Sequence, residues 1–294
     1  MKKEERYNTF WKYVLLIAGS ILILIPLLAT VFSSFKTTKD IMQHFFAFPN
    51  PVTLSNYTRL LADGIGHYFL NSTIITVVSV ILVTLFIPAA AYSIARNMSK
   101  KRAFNIMYSL LILGIFVPFQ VIMIPITVMM SRLGLTNIWG LIILYLTYAV
   151  PQTLFLYVGY IKLSVPDSLD EAAEIDGAGH ILIFRKIVIP LGKPILVTIG
   201  LFSGLAYWND WTNGLYYISD AKLLSIQTLL NKMIQNIQAI QANTAASANA
   251  SAMSIPQVSI RMAIAFIAML PILVIFPFIQ KYLESGIALG AVKG

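Results

Sequence analysis

Few side chains in this sequence could do chemistry, and their spacing narrows what that chemistry is. The three histidines, His44, His67 and His180, are scattered over separate loops, which argues against a zinc site or a nucleophile's base. With no cysteine in the chain, disulfides and thiolate metal sites are excluded. The one Gly-Lys pair, Gly192-Lys193, is followed by Pro194 and has Ile187 where a phosphate-binding loop needs its first glycine. No catalytic set and no metal site remain. What does stand out is a polar segment, Glu171-Ala172-Ala173, then Gly177, then Ile187-Val188-Ile189-Pro190. Ser168 and Glu171 predict a capping box, Asp170 and Glu171 suit the positive end of a helix, and Gly177 supplies the stop. On that short helix Leu169, Ala172, Ala173 and Asp176 share a face at i, i+3, i+4 spacing. Two alanines on such a face let another protein approach the backbone closely, so the chemistry is docking.

The elements that position this segment are apolar. Hydrophobic residues make up 58% of the chain and charged residues 11%, with a mean hydropathy of +0.78. A soluble domain does not have that balance. Six stretches reach the roughly 20 apolar residues a membrane crossing needs: 13–34, 69–95, 104–130, 137–161, 191–216 and 257–281. The first exceeds a signal peptide's apolar core and lacks a small-x-small end, so it reads as a retained helix. The expectation is an all-α polytopic membrane protein of six transmembrane helices. Residues 1–12 precede the helix domain at 13–281, and a tail at 282–294 follows it.

Basic residues orient the bundle. Lys2, Lys3, Arg6, Lys12, Arg96, Lys100, Lys101, Arg102, Lys162, Arg185, Lys186, Lys193, Lys281 and Lys293 fall on one side. Lys36, Lys39, Arg59, Arg132, Lys222 and Lys232 fall on the other, with Arg261 inside the last helix. The positive-inside rule therefore places both termini and the loop 162–190 in the cytoplasm, and loops 35–68 and 217–256 outside. Loop lysines and arginines facing anionic lipid account for most of the net charge of +9, so no nucleic-acid partner is implied.

Several polar residues sit within the apolar stretches. Pro118, Pro125 and Pro151 each free a backbone carbonyl, and Gln120 and Gln152 stand beside two of them. They mark either packing kinks or a translocation path. Gly200 and Gly204 form a close-contact pair, followed by Trp208-Asn209-Asp210-Trp211. Asp210 is either a solvated carboxylate in an interfacial aromatic belt or a group in a polar cavity, where tryptophan, amide and carboxylate suit a sugar. Phe48-Pro49-Asn50-Pro51 is turn chemistry. The run Leu224, Gln227, Thr228, Asn231, Ile234 reads as helix, and the Ala/Asn/Ser-rich tract 242–254 as a linker or a loop reaching a partner.

The spacing of Glu171-Ala172-Ala173, Gly177 and Pro190 resembles the EAA loop of permease subunits of bacterial ABC importers. In order along the chain, Ser34-Phe35-Lys36-Thr37, Asn56-Tyr57, Asn71-Ser72, Val117-Pro118, Ile124-Pro125, Ile175-Asp176-Gly177-Ala178, Trp208-Asn209-Asp210 and Gly290-Ala291-Val292-Lys293-Gly294 extend the likeness. Together they are similar to a carbohydrate-uptake permease of the maltose-transporter type, over nearly the whole chain.

The resemblance implies the type I importer permease fold in the bacterial cytoplasmic membrane. It implies half of a pore completed by a second permease subunit as a heterodimer, two ATPase subunits that hold ATP and Mg, and an extracytoplasmic solute-binding protein. This chain itself would bind no cofactor. By the same likeness Leu169, Glu171, Ala172, Ala173, Asp176, Gly177 and Pro190 would couple to an ATPase subunit, and Gly290, Ala291, Val292, Lys293 and Gly294 would reach the ATPase interface. Gln120, Gln152, Trp208, Asn209 and Asp210 are the candidate substrate-path residues. A sugar or oligosaccharide is the expected cargo, with a glycerol phosphodiester or another solute as the alternative. A secondary transporter would show an inverted repeat or several buried charges, and a membrane enzyme a clustered catalytic set; the sequence has neither.

Overall fold

A computed structural model describes the backbone of residues 2–244 and 258–291, with no strand among them. The helices are α1 (Lys2–Ser34), α2 (Thr38–Gln43), α3 (Ser55–Ala62), α4 (Ile65–Asn97), α5 (Arg102–Leu113), α6 (Phe119–Arg132) and α7 (Ile138–Ser164). They continue with α8 (Asp167–Ile175), α9 (His180–Ile183), α10 (Ile189–Leu191), α11 (Lys193–Asn209), α12 (Thr212–Tyr217), α13 (Ile226–Thr244) and α14 (Val258–Ala291). Among the described residues four stretches are long and apolar enough to cross a membrane: Trp11–Ser34, Ile65–Asn97, Ile138–Ser164 and Val258–Pro277. Two bent pairs raise the number to as many as six if each is one span.

The contacts divide the chain into two compact units. One takes residues up to Gly66 together with Leu229–Leu270. Its organising residue is Lys36, fully buried, whose Nζ donates to the carbonyls of His44 at 2.6 Å and Phe45 at 3.3 Å. A buried ammonium is tolerated only when its donors are satisfied. Here it closes the carboxyl end of α2, whose amino end is capped by the Thr37 hydroxyl. Asn56 of α3 donates to the carbonyls of Ser34 and Lys36, both at 2.9 Å, and Tyr57 donates to the Ser34 hydroxyl at 2.6 Å. The Ser34-to-Thr37 and Asn56-Tyr57 motifs are thus one staple that folds the chain back at the end of α1.

The other unit, His67–Thr228 with the chain from Pro271, is built on α4 and α7. Val83, Ile87, Ala91 and Ile94 of α4 are buried with Leu154, Tyr157, Val158 and Ile161 of α7, joined by Ile183, Val188 and Ile199. A second cluster holds Ile75, Leu141, Ile142, Tyr145, Tyr217 and Leu224. The pair Gly200 and Gly204 puts α11 against α4, where a Cβ on either glycine would lie 3.6 Å from Thr84 or Val80.

Two expected spans are broken. The stretch 104–130 bends by 102° after Phe116, because Val117 turns extended before Pro118. Gly114 lies so close to the Pro151 ring of α7 that a Cβ would be 2.9 Å from its Cγ. Pro125 and Pro151, by contrast, sit within continuous helices. The stretch 191–216 is also not one helix: it stops at Asn209, and α12 restarts at Thr212. At its other end the stretch Lys193–Asn209 meets His180–Leu191 at 74°, so the expected loop 162–190 carries a second helical segment, with a π-helical turn at Phe184–Val188. The last helix runs on to Ala291, ten residues past the expected boundary at 281.

Candidate functional site

The polar segment forms α8, nine residues long, as its composition predicts. Its start differs from the expected capping box. Pro166 holds the N-cap position with no side-chain bond, and the helix begins at Asp167, which leaves Ser168 inside the first turn. Asp167 and Asp170 supply the negative charge that the amino end favours. The stop is at Gly177, with φ of +82°. The Ala178 amide donates to Ala173 O at 2.9 Å and the Gly177 amide to Glu174 O at 3.0 Å, the paired closure of a Schellman motif.

What fixes the orientation of α8 is Asp170, only 7% exposed. Arg96, in the last turn of α4, grips it with both arms: Nε to Oδ2 at 2.9 Å and Nη2 to Oδ1 at 2.9 Å. The Tyr92 hydroxyl donates to the same Oδ2 at 2.7 Å. Arg96 Nη1 also donates to Val165 O at 3.0 Å and pairs with Asp167. Tyr92 stacks on Phe184 at 5.6 Å, and the guanidinium lies 5.8 Å from the Tyr92 ring centroid. A two-armed, charge-assisted contact of this kind fixes direction as well as distance.

With Asp170 turned inward, the expected four-residue face divides. Ala173 packs, half-buried, against the core cluster, whereas Leu169, Ala172 and Asp176 stay exposed with Glu171. Ile175 adds to them, at 87% exposure. Pro190 is exposed on α10, and Val188, two residues before it, is buried. Between α4, α8 and the segment after His180 lies a cleft of about 340 Å³, lined by Arg96, Asn97, Lys100, Glu171, Glu174, His180 and Ile181 among others. Of the tail residues, Gly290 and Ala291 close α14, while Val292, Lys293 and Gly294 lie outside the described residues, as does most of the tract 242–254.

The candidate path residues occupy different environments. Gln120, at the start of α6, and Gln152, beside Pro151, are exposed. Trp208 is buried edge-on against Phe69 at 5.5 Å, and Asn209 is exposed and donates to Leu205 O. Asp210 is partly buried, and both of its oxygens are hydrogen-bonded within the protein. Its Oδ2 accepts from the Tyr145 hydroxyl and from Asn213 Nδ2, each at 2.5 Å. Its Oδ1 accepts the backbone amides of Thr212 and Asn213 at 2.8 and 3.2 Å. It caps α12 and ties the end of α11 to α7, where Tyr145 stacks on Tyr207 at 4.4 Å. The bonds of Asp210 do not run to Gln120 or Gln152. Among the described residues no three metal-ligating side chains converge.

Arg96, Tyr92 and Tyr145 escaped the sequence reading. Arg96 looked like one more basic residue closing an apolar helix, and its partner lies 74 positions away. A hint existed in Asp170, which stands three residues before Ala173 and so shares its inward stripe.

The described residues are helical, include stretches long and apolar enough to cross a membrane, and present one short amphipathic helix, α8, with its outer face exposed. Residues 87–289 match the family model described as binding-protein-dependent transport system inner membrane component. The chain belongs to that family, whose members are multi-pass components of the bacterial inner membrane. It is 76% identical over 211 residues, 72% of this chain and 76% of the relative, to the multiple sugar-binding transport system permease protein MsmG of Streptococcus mutans serotype c. It is 34% identical over 272 residues, 92% of this chain and 91% of the relative, to the melibiose/raffinose/stachyose import permease protein MelC of Bacillus subtilis. In fold it is similar to a chain of a bacterial ABC transporter involved in alginate import, with a TM-score of 0.80, 24% identity, and coverage of 95% of this chain and 97% of the other. These relatives are permease subunits of transporters, and the chain is such a subunit rather than an enzyme.

Proposed function

We propose that this chain forms half of the translocation pore of an ATP-driven importer of small oligosaccharides. The exposed face of α8 couples it to one of two ATPase subunits. The observation that carries the coupling role is the presentation of α8: a short helix clamped by Asp170, stopped by Gly177, and offering Leu169, Glu171, Ala172, Ile175 and Asp176 outward. Among the described residues that face is exposed. The sugar reading draws on the 76% identity to a permease named for multiple sugars and the 34% identity to one named for melibiose, raffinose and stachyose.

In this reading α8 and both chain termini face the cytoplasm, consistent with the bias of lysine and arginine. ATP and Mg are held by the ATPase subunits, a second permease subunit completes the pore, and a solute-binding protein delivers sugar from outside. Gln120, Gln152, Trp208 and Asn209 stay candidates for the path. Asp210 acts instead as the tie between α7 and α11. The test is uptake of radiolabelled raffinose and melibiose by cells with and without this chain. Loss of uptake on deletion, restored by the wild-type chain, supports the reading, and unchanged uptake of every oligosaccharide tried would refute the cargo class.

A further inference from the structure

We infer that Arg96 is a positioning residue that makes α8 and the end of α4 one rigid body, so that movement of the docking helix drives the α4 span directly. The inference rests on the coupling role proposed for α8 and goes beyond it by naming the lever.

Two covalent routes lead from α8 into the membrane helices. One runs back through Val165 and Pro166 into α7, the other forward through Gly177 and Gly179 to the bent segment before α11. Each leaves the regular helix briefly, the first after the bond from Val165 N to Ile161 O and the second after the paired closure at Gly177 and Ala178. The Arg96 contact is a third route, made across space, and it joins α8 to a helix that neither connection reaches. A guanidinium holding one carboxylate at 2.9 Å through two nitrogens fixes both distance and angle. Tyr92, one helical turn before Arg96, bonds the same carboxylate, so α4 holds Asp170 from two turns at once. Nη1 on Val165 O ties in the turn just before α8 as well. The side chains of Arg96 and Asp170 are 12% and 11% exposed, which shields the pair from water and salt. Behind Arg96, α4 carries Ala91, Ile87 and Val83 into the buried cluster shared with α7 and α11. A push on α8 therefore reaches the packed centre of the unit through a charged clamp rather than a hinge.

The chain has no cysteine, so paired thiols can be introduced against an empty background in this subunit. The test uses the whole importer in proteoliposomes and reads sugar transported per ATP hydrolysed. Arg96→Cys with Asp170→Cys removes the clamp, and transport per ATP should fall by about tenfold. Joining the two thiols with a short bifunctional thiol reagent should restore it. Restoration is what a positional role predicts and what a direct charge contact with the ATPase could not give. Arg96→Lys, which keeps the charge and loses the fork, should fall between wild type and the unlinked pair. If the unlinked double variant transports normally, or if the link fails to rescue it, the lever is wrong. Loss of assembly is followed by co-purification of the ATPase: a complex that assembles only when linked still supports positioning, and one that fails even when linked overturns it. A separate photo-crosslink from position 172 to the ATPase tests the docking reading alone, so failure of the clamp and failure of the coupling role are distinguishable.

Discussion

At the scale of single residues, exposure decides which substitutions matter. Glu171 is exposed, and an ion pair made there is worth little, so Glu171→Gln should change transport by at most about fivefold. Ala172 is exposed at the centre of the outward face, and a larger charged side chain there keeps a partner off the backbone. Ala172→Glu should therefore uncouple hydrolysis from transport more severely than Glu171→Gln, and equal losses in paired assays would contradict that ranking. Gly177 at φ +82° is a stricter requirement. Gly177→Val forces a branched side chain into the left-handed region at roughly 1–2 kcal/mol and should loosen α8. Faster proteolysis between residues 166 and 180 would show it. Asp170 was legible only as a helix-start charge. Its real role needs Arg96, and no spacing within one sequence encodes a pairing across 74 residues.

At the scale of elements, the bend after Phe116 falls inside a stretch that composition read as one straight span, and the bend at Gly192 falls where composition read a loop meeting a span. Apolar periodicity reports that a stretch is membrane-like, but its direction is set by contacts made elsewhere. At Gly192 the Tyr157 hydroxyl and the Val188 carbonyl stand where a Cβ would go, and the Tyr160 hydroxyl donates to Leu191 O at 2.9 Å. Gly192→Val should destabilise the protein by about 1–3 kcal/mol through overpacking. Tyr157→Phe, which removes part of the obstruction, should recover a portion, and thermal unfolding of the wild type, both single variants and the double variant in detergent would measure that coupling. No recovery would place the strain on the Val188 carbonyl alone. The prolines show the same limit of sequence. Pro118 breaks its helix, whereas Pro125 and Pro151 do not, and the difference lies in the extended Val117 and in Gly114 meeting the Pro151 ring.

At the scale of the whole molecule, the all-α membrane character and the short helix α8 were legible because each is local: apolar runs of sufficient length, and an acidic start with a glycine stop. The Lys36 staple was visible only as a motif, since nothing in Ser34-Phe35-Lys36-Thr37 says that a lysine will be buried against carbonyls at 44 and 45. In the function proposed above, this chain is a lever driven by ATP hydrolysis in another subunit. The most direct test is raffinose uptake into proteoliposomes containing this chain, its partner permease, the ATPase and the binding protein. Uptake that requires ATP inside the vesicle equivalent of the cytoplasm, and that stops on Ala172→Glu while ATP is still hydrolysed, is the predicted result. Uptake by this chain without ATP or the ATPase would contradict it.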